Sequence, residues 1–295
     1  MKILAKFRKN YLCLAVAGVV ALGTATYSAS VYADNEVQLT ASSIPYLVRS
    51  IEVKELKAVL YRFNYSMLLM TNTKNREDFL INRDELWRSR EELSFAIKVL
   101  EDNANAPFGE DVTAITAAVR ELLLKCEDYA NNQNELVAKY NNYRDGPNVL
   151  RNVFKSLNET ELLVSKRDFT PEEEVKYVQI TSARGAYETA VEDMFMCSSS
   201  TEMTEIVERI QRTHEAYMNV VNENGTLFPE IKSSFEEADI NFKKMFANKG
   251  YGSEFYSFLQ QKEVQENIES YYQKAIKDIL KDVSKLEAKL KARLS

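Results

Sequence analysis

Apolar residues recur every three or four positions over long stretches of this 295-residue chain. Two of the clearest stripes are Val53, Leu56, Leu60, Phe63, Met67 and Met70, followed by Phe79, Leu86, Leu93, Ile97 and Leu100. This spacing places the apolar side chains on one face of an α-helix, and no strand-like alternation persists beyond a few residues. Because only 8 Gly and 5 Pro are present, and the prolines fall where the pattern breaks, the helices are expected to be long. The sequence therefore predicts an all-α fold, an elongated antiparallel helical bundle.

The breaks in this pattern divide the chain into predicted helices. Their approximate ranges are 40–71, 74–102, 111–144, 171–197, 201–223, 229–247 and 254–295. The third is expected to pause at 145–148 and then to continue in the same direction to about 165. Thr170 and Pro171, followed by three glutamates, form the clearest helix start. Thr caps free N–H groups, Pro fits the first turn, and acidic side chains there favour the helix dipole.

The first 33 residues have the character of an export signal. A basic segment precedes the apolar run 12–23, and Val31 to Ala33 satisfies the small-residue rule for signal peptidase. An uncleaved membrane anchor is the other reading, because residues 11–33 are long enough to cross a bilayer. Both readings stay open, and both place 34–295 outside the cytoplasm, either in the periplasm or anchored to the inner membrane and facing the periplasm. The sequence up to Ser295 either stops before a second span or belongs to a secreted protein, and this too stays open.

The charge balance argues against one class of partner. Residues 1–33 hold four basic residues and no acid, so the remainder carries 34 of the 38 basic residues and all 44 acidic ones, a net charge of −10. An acidic surface of this kind does not favour nucleic acid as a partner.

Residues suited to catalysis or cofactor binding are scarce. His214 is the only histidine, and no Cys-x-x-Cys pair or glycine-rich phosphate loop is present, so no metal site and no cofactor are expected. Haem ligated by His214 and a methionine is an alternative, but a solvated histidine on a helix face is the simpler interpretation. Cys126 and Cys197 either pair in an oxidising periplasm or remain packed free thiols. The chain is predicted not to be an enzyme.

Two arginines interrupt apolar stripes. Arg184 stands in the stripe Tyr177, Ile180, Tyr187, Val191 and Met194, and Arg62 stands in a second stripe of the first helix, Val48, Ile51, Glu55, Ala58, Tyr65 and Leu69. Apolar positions on two faces predict that the first helix has neighbours on both sides, within the bundle or across a dimer. Gly185, which costs a helix about 1 kcal/mol relative to Ala, is expected to allow close approach of a backbone or small ligand.

Two interpretations of these arginines stay open. One is a structural ion pair for each, Arg62 with Glu55 or Glu52 and Arg184 with Glu188, since a buried guanidinium needs an acidic partner. The other is a shared carboxylate site, in which the arginines bind the anion and Tyr65 and Tyr187 add hydroxyl donors.

The stretches Lys57–Tyr65 and Ala183–Tyr187 resemble motifs of the helical bimodular sensor domain of bacterial chemoreceptors and sensor kinases, over roughly 35–295. The resemblance implies two stacked four-helix bundles that share long helices, a homodimer, and a small organic acid bound between helices. It implies Arg62, Tyr65, Arg184 and Tyr187 as ligand-binding residues. Val59 stands where the family has a second arginine, which departs from the pattern.

The leading functional prediction is a non-enzymatic, extracytoplasmic ligand-sensing bundle that binds a small carboxylate. The alternative is a secreted or membrane-anchored helical protein-interaction module with no small-molecule site. A periplasmic protein is a further partner considered, and residues 11–33 would contact the membrane if they are uncleaved.

Overall fold

The computed structural model describes residues 42–103 and 106–295. Over these residues the chain folds into nine α-helices and no strand. They are α1 (Ile44–Thr71), α2 (Arg76–Asp102), α3 (Gly109–Leu124), α4 (Cys126–Tyr143), α5 (Gly146–Val164), α6 (Pro171–Met196), α7 (Ser200–Glu223), α8 (Pro229–Phe246) and α9 (Tyr251–Leu294). The predicted all-α helical bundle is confirmed.

The first hydrophobic core lies between α1, α2, α3, the start of α4 and the C-terminal half of α9. Both apolar stripes that the sequence shows in the first two helices are buried in it. Arg49, almost fully buried, lies at one end of this core, where it donates to the carbonyl oxygens of Leu100 at 2.8 Å and Asn103 at 2.9 Å. These bonds satisfy carbonyls at the C-terminal end of α2 that have no partner inside their own helix.

The second hydrophobic core lies between α5, α6, α7, α8 and the start of α9. Aromatic rings dominate its centre, where the ring of Tyr187 lies 5.5 Å from Phe154 and 4.9 Å from Phe242, centroid to centroid. Tyr217 and Phe235 form a further edge-on pair at 4.8 Å. Rings packed edge to face in this way stabilise a core beyond the area they bury.

Helices α4 and α9 connect the two cores. At 1.5 Å per residue, the 44 residues of α9 extend over about 66 Å. Its first turns hold Phe255 in the second core, and its later turns hold Tyr272 in the first. Between them a polar layer joins the two helices, where Gln261 donates to Asn132 of α4 at 2.7 Å. Each of these two helices therefore contributes side chains to both cores and connects them.

The observed helix ends agree with the predicted ones to within a few residues, with one exception. The predicted third helix is divided at Lys125, which separates α3 from α4. The chain keeps a near-helical backbone there and again at Arg144 and Asp145, so the run from α3 to α5 continues as expected to Val164. The start at Thr170 has the full capping box, with Thr170 and Glu173 each bonding to the other's backbone N–H.

The predicted export signal or anchor, residues 1–33, lies outside the described residues. Among the helices of the described part of the chain, none combines the length and apolar character needed to cross a bilayer.

Candidate functional site

The sequence-predicted site residues lie in two different places. Arg62 and Tyr65 are on α1, the helix that helps to form the first core, whereas Arg184 and Tyr187 are on α6, beside the second core. Arg62 is half exposed and pairs with Glu92 of α2 at 2.9 Å, and Tyr65 is 62% exposed. The burial expected for Arg62 from its stripe is therefore wrong. Its observed partner, Glu92, is neither of the two glutamates predicted.

Arg184 is largely buried, as its stripe predicts, with 14% of its side chain exposed. Its Nε donates to Glu161 Oε2 of α5 at 2.7 Å, and its NH1 group donates to Glu188, one turn along α6. The predicted pair with Glu188 is present. Because two carboxylates already occupy the guanidinium, and Arg62 has its own glutamate elsewhere, the two arginines do not form a shared carboxylate site.

Gly185 does not serve the close approach that the sequence suggested. Apart from the helix's own backbone, no described atom lies within 4 Å of the position a Cβ would take there. The glycine faces open space, so no packing contact in the described part of the chain offsets its destabilising effect on the helix.

Of the four predicted site residues, Tyr187 lines a cavity. The cavity has a volume of about 280 Å³ and opens between α6, α7 and α8. Its walls are Tyr187, Val207, Ile210, Gln211, His214, Phe242, Lys243 and Phe246. A mostly apolar cavity with a few polar groups is the common form of a small-molecule site, and this volume lies just below the range for drug-sized ligands.

Tyr187 carries the most unusual polar group among the residues that line this cavity. The residue is 0% exposed, and its Oη has no hydrogen-bond partner among residues 42–103 and 106–295. Burial raises the pKa of this hydroxyl, and the negative charge of Asp239 raises it further, so the phenol keeps its proton. A neutral buried phenol with no partner can donate a hydrogen bond to a ligand.

A short polar chain connects α7 and α8 beside the cavity. His214 Nε2 lies 2.9 Å from Asp239 Oδ1, and Lys243 Nζ lies 2.6 Å from Asp239 Oδ2. Both oxygens of Asp239 are thus engaged, while Lys243, mostly exposed, keeps N–H donors free at the mouth. Since a carboxylate oxygen can only accept, Nε2 is the donating nitrogen of His214 in this contact, and Nδ1 is that ring's remaining polar atom. Lys243 thus supplies free donors to the lining of the cavity, beside Nδ1 of His214 and the amide of Gln211.

His214 differs from its sequence interpretation. It is a partly buried residue held by Asp239 and packed against the Tyr187 ring at 5.2 Å, not a solvated side chain. Asp239 is 25 positions away in sequence, so no local pattern links the two. In the described ranges, no cluster of three or more His, Cys, Asp and Glu side chains is arranged to hold a metal ion.

The two cysteines of the described residues, Cys126 and Cys197, are free and buried, one in each core. Of the two interpretations left open, packed free thiols are observed. Burial raises the pKa of Cys197 to about 11, which keeps this thiol in its unreactive protonated form.

Comparison of the chain with protein-family models, with curated proteins and with solved structures found no match in any of the three.

Proposed function

We propose that this protein is a non-catalytic ligand-binding helical bundle of the cell envelope, whose ligand is a small organic acid with an apolar body. The cavity between α6, α7 and α8 is the binding site. As the sequence predicts, the ligand is a carboxylate bound between helices. The binding site, however, is not formed by the two arginines, because both are paired with glutamates.

The observation that carries the proposal is that Tyr187, whose buried hydroxyl has no hydrogen-bond partner among the described residues, lines the cavity. Burying a hydroxyl without a hydrogen bond costs about 1–3 kcal/mol, and a ligand oxygen placed against it would recover part of that cost. Hydrogen bonds to a charged acceptor are the stronger kind, which favours a carboxylate over a neutral group.

The rest of the cavity fits the same ligand. Val207, Ile210, Phe242 and Phe246 offer apolar surface to a hydrocarbon body. Lys243 at the mouth offers a cation that can be shared between Asp239 and an incoming carboxylate. The envelope location rests on the apolar run at 12–23 and the polar residues that follow it.

Thermal unfolding of the purified chain with benzoate, and separately with isovalerate, tests the proposal. Benzamide and benzylamine serve as matched neutral and cationic controls. A ligand at about 100 times its Kd adds about 2.7 kcal/mol of stability, so an acid that binds should raise the Tm. We expect the acids to raise the Tm and the amide to raise it less or not at all. A rise with benzylamine alone, or with none of the compounds, would contradict an acid-binding site.

A second candidate function, the protein-interaction module, is favoured by the outer face of α1. Ile51, Tyr61 and Tyr65 are more than half exposed there. On α2, Phe95 lies one turn beyond Glu92, the partner of Arg62, and is also exposed. Ile51, Ala58 and Tyr65 of the second stripe are therefore exposed among the described residues, and they offer a surface on which a partner molecule could pack.

A further inference from the structure

Glu161, Arg184 and Glu188 form an ionic cluster that joins α5 to α6 beside the second core. Only 3% of the Glu161 side chain is exposed, against 32% for Glu188. Arg184 bonds to both, through Nε to Glu161 Oε2 at 2.7 Å and through NH1 to Glu188. Arg184 is thus the counter-ion of two carboxylates, and Glu161, the more deeply buried of the two, shares it with Glu188.

The buried carboxylate is only half satisfied. Glu161 Oε1 is buried and has no hydrogen-bond partner in the part of the chain that the structure describes. Tyr217 Oη of α7, which feels the charges of Glu161 and Arg184, is also buried and unpartnered within the same residues. Leaving one oxygen of an ionised carboxylate without a donor in an apolar surrounding is costly, and the usual response is to take up a proton.

The groups that face Glu161 come from three helices. From α6, Arg184 and Glu188 act on its carboxylate, and Tyr177 Oη donates to its backbone carbonyl at 2.9 Å. From α7 comes the neutral phenol of Tyr217. Helix α8 also packs on α5, where Thr160 Oγ1 donates to Ser234 Oγ at 3.2 Å. The buried carboxylate of α8, Asp239, is bound by His214 and Lys243. Arg184 is the one cation acting on Glu161 among these groups, and Glu188 competes for it.

We infer that Glu161 Oε1 is a proton-binding site, and that the contact between α5 and α6 is strengthened when a proton from the solvent binds there. The bound proton removes the surplus negative charge and leaves Arg184 with Glu188 as its ionised partner. The unpaired oxygen becomes a hydroxyl that can donate a hydrogen bond instead of only accepting one. An envelope protein meets the pH of the surrounding medium, so this contact would respond to acidification.

The electrostatics of the cluster act in the same direction. Burial raises the pKa of Glu161, and the lowering effect of Arg184 opposes it without reversing it. The folded chain therefore binds the proton more tightly than the unfolded chain, whose carboxyl has its ordinary value of 4.5. The stability that this group contributes is fully present below that ordinary value and is lost as the pH rises through the raised, folded-state pKa.

Urea unfolding of the full chain from about pH 8 down to about pH 5, repeated with Glu161→Gln, tests the inference. The urea midpoint of the natural chain should move to higher urea on acidification, and Glu161→Gln should lose the part of that movement that Glu161 contributes. Glu52 and Glu269, whose pKa values burial also raises, keep their contributions in every variant. Glu230→Gln is the matched control. Glu230 is an exposed carboxylate whose pKa is lowered, first by a backbone hydrogen bond and then by Arg167, so its contribution has the opposite sign and the acid stabilisation should persist. The single histidine, His214, is present in all variants, so the comparison between them reports on the substituted carboxyl groups.

A second variant keeps the test decisive if Glu161→Gln does not fold. Glu188→Gln removes the competing carboxylate and leaves Arg184 to Glu161, so it should weaken proton binding at Glu161 and reduce the movement of the midpoint. The inference is overturned if the natural chain does not gain stability in acid, or if the foldable variants at 161 and 188 respond to pH as the natural chain does.

Discussion

At the scale of single residues, three side chains in and beside the second core have a buried polar atom that calls for an explanation. Tyr187, Tyr217 and Glu161 each have a buried atom without a hydrogen-bond partner among the described residues. Native cores leave few such atoms, and each one needs a reason. For Tyr187 the reason proposed is a ligand, and for Glu161 it is a proton. The first core's buried Arg49 bonds to Glu52 and to two backbone carbonyls, and its Nε also lacks a partner among the described residues.

Gly185 gives a direct residue-scale prediction. Since a Cβ there meets nothing within 4 Å outside the backbone of its own helix, Gly185→Ala should raise the free energy of unfolding by about 0.5–1 kcal/mol in urea titrations. Gly146→Ala is the control, because its Cβ would lie 2.8 Å from Tyr251 Cβ and should destabilise the chain. Loss of stability in Gly185→Ala would mean that the open space at this position is filled by a partner or ligand.

At the scale of elements, the sequence predicts the helices better than their surroundings. The stripes of α1 and α2 identify the buried face because helical period depends only on local spacing. No Gly or Pro stands near Lys125, so the sequence does not indicate that the helix is divided there. The burial predicted for Arg62 is wrong because helical spacing alone does not say which of two apolar faces of a helix the chain covers. The Glu161–Arg184 and His214–Asp239 contacts join different helices, so only the tertiary fold brings them together.

The exposed face of α1 gives an element-scale prediction. If that face mediates association of two copies, as the predicted homodimer requires, Tyr65→Glu should shift the chain toward monomer in sedimentation velocity, because a buried charge would oppose the contact. Leu163→Glu alters a residue of α5 with matched exposure, 65% against 62%, and should leave the distribution unchanged. Equal sedimentation of the natural chain and both variants would remove the support for a contact through this face.

At the scale of the whole molecule, the two cores have different characters. The first is built of aliphatic stripes and holds the end of α9, whereas the second contains the cavity, the Asp239 chain and the ionic cluster of α5 and α6. Helices α4 and α9 run from one core to the other. A change of packing around the cavity has a physical route to the first core through these helices, by the small shifts of packed helices that such bundles allow.

The most direct test of the central claim is the affinity of the chain for benzoate, measured by isothermal titration calorimetry with Tyr187→Phe and Tyr217→Phe. Each variant removes one buried, unpartnered hydroxyl, so neither should lose stability, but only Tyr187 lines the cavity. We expect Tyr187→Phe to weaken benzoate binding by about 10-fold to 100-fold, the value of a hydrogen bond to a charged group, and Tyr217→Phe to bind benzoate as the natural chain does. Equal binding by Tyr187→Phe and the natural chain, or no binding by any of the three, would contradict this prediction.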